Sequence, residues 1–209
     1  MNKKELKFSV GLGLFDYINP ILYGITTFII LKNNIFNNPI MILFLLGAII
    51  SLIFGLSIPT VKLLVGLQKL KFKMPVNLVF FVNSGIFISG LSLIIKILSI
   101  NIYTIIMIIL LIIFLLYLVY FKTKNFNTIA VLLGAAGYVL IYTSLIILAI
   151  KNYIYISLII YLLAILLFIF LCMIGIKANL KDPKVHWIIE ISNVICQFLV
   201  MIGTLILYR

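Results

Sequence analysis

Histidine, acid and arginine are what this sequence has least of. Its 209 residues hold one His, four acids (Glu5, Asp16, Asp182 and Glu190) and a single Arg, Arg209. One histidine, His186, excludes multi-His metal centres, haem pairs and a His-based membrane hydrolase. The two cysteines, Cys172 and Cys196, lie inside apolar runs with no CxxC spacing and no partner His. Neither a zinc site nor a disulfide framework is indicated, and both read as small buried hydrophobes. A P-loop, a Rossmann glycine fingerprint and a GxSxG elbow are missing as well. No lysine falls in the last apolar run, which excludes a retinal Schiff base there. No cofactor and no metal is expected.

Charge of any sign is scarce, at 10% of residues, while 66% are hydrophobic and the mean hydropathy is +1.38. An ordinary soluble domain is about 45–50% apolar and about 25% charged. Apolar residues this dense cannot all be hidden in a water-soluble body of this size, so a soluble enzyme, a disulfide scaffold and a disordered tail are excluded. The net charge of +12 would point to nucleic acid on a soluble chain. On this one it is a topology signal, and no nucleic-acid partner is expected.

A membrane-spanning helix needs about 20 mainly apolar residues. Seven stretches qualify, at roughly 8–31, 40–58, 76–98, 100–121, 129–150, 154–176 and 187–208. The runs are continuous rather than alternating, which is not the pattern of a β-barrel. The first is broken by Asp16 and Asn19 with no small-residue cleavage site after it, so it does not read as a signal peptide. The connections are too short for a folded extramembrane domain. The expectation is an all-α integral membrane protein, a single membrane domain over 1–209.

Basic residues in the segments between successive runs number 3, 1, 4, 1, 2, 1, 3 and 1. The positive-inside rule then puts the amino terminus in the cytoplasm and the carboxyl terminus outside. An offset of 119 residues lays Tyr23, Lys32 and Asn33 over Tyr142, Lys151 and Asn152. That correspondence raises a 3+1+3 pseudo-repeat joined by the fourth run. The bias toward Ile, Lys and Asn is of the kind an AT-rich genome imposes, which suggests a bacterial plasma (inner) membrane.

Polar residues inside the runs carry the functional reading. Asp16, Asn19, Tyr23 and Thr27 lie within about 80° of one another on a helix. An aspartate well inside a span costs about 2.5–3.5 kcal/mol on insertion scales, so it should face protein or a wet cavity. Pro20 has no N–H to give to the carbonyl of residue 16, so a kink is expected. Asp16, Tyr17 and Asn19 beside a freed carbonyl suit a proton, a sodium ion or a substrate amine. In the last run Glu190, Asn193, Gln197 and Thr204 lie within about 60°. In the third, Asn83 and Ser84 adjoin a Gly85, Ser89, Ser92 and Lys96 face. The first and last runs are expected to turn their polar faces toward a shared cavity open to the cytoplasm, with Tyr138 and Tyr142 of the fifth run as further cavity residues.

Gly47, Ser51 and Gly55, and Ala130, Gly134, Gly137 and Ser144, read as close-packing faces, inside the bundle or between copies of the chain. Lys62, Lys69, Lys71 and Lys73 sit in a segment, 60–75, that reads as a lipid-binding or partner-docking surface on the cytoplasmic side. The expected function is a small multi-pass transporter or channel-like protein for a small solute or ion. The alternative is a non-catalytic subunit of a larger transport complex, such as its substrate-binding component. A lipid-processing enzyme built on Asp16 and Glu190 is a third reading, with no nucleophile or metal set to support it.

Overall fold

A computed structural model of the chain describes residues 9–33, 38–67, 76–177 and 183–209. These form eight helices and no strand: α1 Val10–Phe15, α2 Ile18–Lys32, α3 Asn38–Gly66, α4 Val76–Leu98, α5 Ile102–Thr123, α6 Phe126–Lys151, α7 Tyr155–Lys177 and α8 Pro183–Leu207. A helix lies over each of the seven apolar runs, with departures that matter for the site. The first run is two helices, broken at Asp16 and Tyr17. The second continues past residue 58, through Pro59, to Gly66. The last starts at Pro183, where a proline's missing N–H is no loss because the first turn has no intrahelical acceptor for it.

Six segments are long and apolar enough to cross a membrane: Val10–Lys32 (α1 and α2 together), Pro39–Gly66, Asn77–Leu98, Thr128–Lys151, Tyr155–Ile174 and Lys184–Leu207. In α5 the corresponding apolar segment is shorter, Leu111–Thr123. Leu46, Ile53, Leu163, Leu166 and Phe170 stand exposed on outer faces, as lipid-facing side chains do. Length and apolarity therefore make this an all-helical, multi-pass membrane protein in contact with a bilayer.

The packing order closes on itself. Helix α2 packs on α3, α3 on α4, α4 on α6, α6 on α7, α7 on α8, and α8 returns to α2. Six helices thus make a ring, and α5 lies against α6 outside it. Lipid gives apolar helices no hydrophobic reason to associate, so close backbone approach has to supply the packing. It does so most clearly between α3 and α4. A Cβ added to Gly85 would come 2.6 Å from the Gly47 carbonyl oxygen and 2.6 Å from the Ser51 nitrogen. Gly134 and Gly137 of α6 meet Asn83 and the Phe87 backbone of α4 in the same way. The small-residue faces are therefore internal seams of the bundle. Cys196 is buried, as expected, but Cys172 is exposed on α7. A cysteine in an apolar run can face lipid as readily as protein, and the run alone did not tell which.

Candidate functional site

The break between α1 and α2 follows from Pro20. With no N–H at residue 20, the i to i−4 ladder cannot continue through residue 16. The ladder changes register just there: the Asp16 N–H still bonds Leu12, but the Tyr17 N–H turns back three residues to Leu14. Before the break, α1 lies against the carboxyl-terminal end of α3. Gly13 makes that possible, because a Cβ on it would sit 2.8 Å from the Leu63 nitrogen and 2.9 Å from its Cα. On the other side of α1, Phe15 meets Trp187 of α8 with ring centroids 5.7 Å apart.

These contacts bring three charges together. The Lys62 ammonium donates to Asp16 Oδ2 at 2.7 Å and to Glu190 Oε1 at 2.6 Å, and each of the three side chains is about nine-tenths buried. Both lengths are those of strong charge-assisted hydrogen bonds. Asn19 Nδ2 donates to the other Glu190 oxygen, Oε2, at 3.3 Å. The Asn19 carbonyl oxygen is buried and has no hydrogen-bond partner among the described residues. One lysine between two carboxylates leaves the group with one excess negative charge when all three are ionised.

The group opens onto a cavity of about 260 Å³ inside the helix ring. From α2 it is lined by Asn19, Pro20 and Tyr23, from α3 by Ser51, Gly55, Ile58 and Lys62, and from α4 by Val82, Asn83 and Ile86. Asp16, Tyr138 of α6, and Glu190, Asn193 and Gln197 of α8 complete it. Tyr23, Tyr138 and Gln197 also border a second, tighter void among Thr26, Thr27, Ile30, Phe44 and Leu93. They separate the polar cavity from that narrower apolar space. Tyr23 is fixed there by a 3.1 Å hydrogen bond to Ser89 Oγ, and Ser89 in turn donates to the Gly85 carbonyl at 3.0 Å.

The structure brings Asp16, Asn19, Tyr23, Asn83, Glu190, Asn193 and Gln197 to one cavity. Asn83 is partly committed, since its amide donates to the Ala130 carbonyl at 2.8 Å. Tyr17 does not line the cavity. Its hydroxyl bonds Thr60 Oγ1 at 2.6 Å, with Tyr17 as donor because the Thr60 proton goes to the Leu56 carbonyl. Thr204 is turned away too, toward Tyr161. Tyr142 lies deeper, against Cys196 at 3.2 Å. Lys69, Lys71 and Lys73 lie outside the described residues.

Lys62 requires a correction. It is not part of a lipid or partner surface but a buried cation between the two acids. The reason is that α3 does not stop at Pro59. A proline removes one hydrogen bond, and here the helix continues for another two turns with the bundle around it. The signal was present: Ser51, Gly55, Ile58 and Lys62 fall within about 60° on one helical face, so the small-residue seam points straight at the lysine. Ser51, a packing residue by its spacing, also lines the cavity.

Comparison with protein-family models, with curated proteins and with solved structures finds no match to this chain.

Proposed function

We propose that this protein is a small multi-pass membrane transporter or channel-like protein for a small solute or ion, and that Asp16, Lys62 and Glu190 form its binding and coupling group. One observation carries the reading. Three charged side chains and a set of amides converge on a water-sized to solute-sized cavity within helices long enough to cross a bilayer. Charges inside a membrane are costly, and they accumulate along ion and solute pathways.

The finer topology belongs to the same proposal. Helix α5 makes a seventh crossing, standing between two three-crossing halves of a 3+1+3 plan. The end of the bundle that carries Asp16, Lys62 and Glu190 faces the cytoplasm of a bacterial plasma membrane, and the carboxyl terminus faces outside. The cavity then opens inward and Tyr23, Tyr138 and Gln197 close its outer floor. Burial of Lys62 takes one of four lysines away from the partner-docking reading, which leaves transport by the chain itself ahead of the subunit reading.

The test is flux in proteoliposomes that contain this chain alone, followed with a panel of radiolabelled small solutes and ions. The expected result is saturable uptake of at least one of them, reduced to the protein-free leak in Asp16→Asn. Uptake equal to empty liposomes across the panel, or unchanged uptake in Asp16→Asn, overturns the reading.

A further inference from the structure

We propose that the cavity binds one small primary ammonium compound, held beside Asn19 by the oxygens of Asp16 and Glu190 that Lys62 does not engage. The inference rests on the transport reading and names the ligand class of that site.

Charge sets the valence. Among the described residues that line the cavity, Asp16 and Glu190 are acidic and Lys62 is the one base. With Lys62 seated, a single monovalent cation brings the group to neutrality. A divalent cation overshoots by one charge, and an anion adds to the excess. In a site of low dielectric such an imbalance is far more costly than in water.

Geometry sets the head group. The two carboxylates already hold an ammonium, that of Lys62, at 2.7 and 2.6 Å. Lys62 takes Asp16 Oδ2 and Glu190 Oε1, which leaves Asp16 Oδ1 and Glu190 Oε2 as the carboxylate acceptors for a second –NH3+ group. An ammonium has three N–H donors and no acceptor, so it suits a corner built of oxygens. Asn19 Oδ1 is buried with no donor among the described residues, so a turn of this side chain, whose Nδ2 lies on Glu190, offers a ligand N–H one further acceptor. A buried acceptor left without a donor is unfavourable, and a ligand N–H relieves it. A proton placed on a carboxyl would neutralise the charge but brings no donor to Asn19 of its own. The cavity, at about 260 Å³, also leaves space beyond the head group for a small organic body, against the amides of Asn193 and Gln197.

The experiment is calorimetric titration of methylammonium into the full chain in neutral-lipid nanodiscs, in an amine-free potassium buffer. One-site saturable binding is expected, weakened by about tenfold or more in both Glu190→Gln and Asp16→Asn, since each substitution removes the one excess charge. Asn19→Leu is expected to weaken it by a smaller factor and gives a third variant if either carboxamide fails to fold. Sodium at equal concentration should leave the isotherm unchanged. Absence of saturable binding overturns the proposal, as does equal displacement by sodium, which would make this an alkali-ion site. Binding that persists in both carboxamide variants overturns it too, by placing methylammonium elsewhere. If methylammonium does not bind while Asp16→Asn still abolishes flux of another solute, the ligand assignment fails and the transport reading stands.

Discussion

Lys62 is the residue on which the site's electrostatics depend. Removing one member of a buried ion pair is strongly destabilising, by about 3–5 kcal/mol, because the remaining charge is left in low dielectric without a partner. Lys62→Met leaves two facing carboxylates, so a large fall in the detergent unfolding temperature is expected. Adding Asp16→Asn and Glu190→Gln to Lys62→Met should recover most of that loss, since three neutral groups need no counter-charge. A triple variant no more stable than Lys62→Met would contradict the account of the group. Asp16 and Glu190 were both legible in the sequence, because acids are rare in apolar runs and each stood alone there. Lys62 was not: a lysine just past an apolar run ordinarily ends in water, and only its tertiary partners keep this one inside.

Helix ends and helix contacts decide where those residues meet. The break at Asp16 and Tyr17 was foreseeable from Pro20, since a missing donor is a property of the residue itself. The extension of α3 through Pro59 was not, because whether a proline ends a helix or merely interrupts one bond depends on what packs around it. The close seat of α1 on α3 rests on Gly13. Gly13→Ala places a methyl less than 3 Å from the Leu63 backbone and should cost about 1–3 kcal/mol as α1 is pushed away. Gly11→Ala is the matched control, since its Cβ meets only the Trp187 ring at 3.7 Å. Thermal unfolding of the two variants is expected to show a clear loss for the first and little change for the second. Equal behaviour would mean that α1 does not depend on this contact.

At the scale of the whole molecule, composition alone was enough for an all-helical membrane protein, since no other fold hides so apolar a chain. The positions of the helices followed from run length. The ring order of six helices, with α5 outside, was not legible, because apolar faces in an Ile-rich chain carry little sign of which neighbour they meet. With the inward and outward ends as proposed from the lysine count, cysteines placed at Tyr153, in the α6–α7 connection, and at Leu67, after α3, should react with an impermeant maleimide from opposite sides of the membrane. Labelling of both from one side would overturn that topology.

If the cavity bounded by Asp16, Lys62 and Glu190 is a water-filled path for solute and not a packing void, a thiol placed in it reacts with aqueous reagents. The measurement is made on Asn193→Cys in a background with Cys172 and Cys196 replaced by alanine, treated with a small membrane-impermeant thiosulfonate reagent in inside-out vesicles. Rapid modification from the cytoplasmic side is expected, with little from the outside in right-side-out vesicles and with loss of solute flux once the thiol is blocked. A thiol that stays unreactive from both sides, or one whose modification leaves flux untouched, rules such a path out.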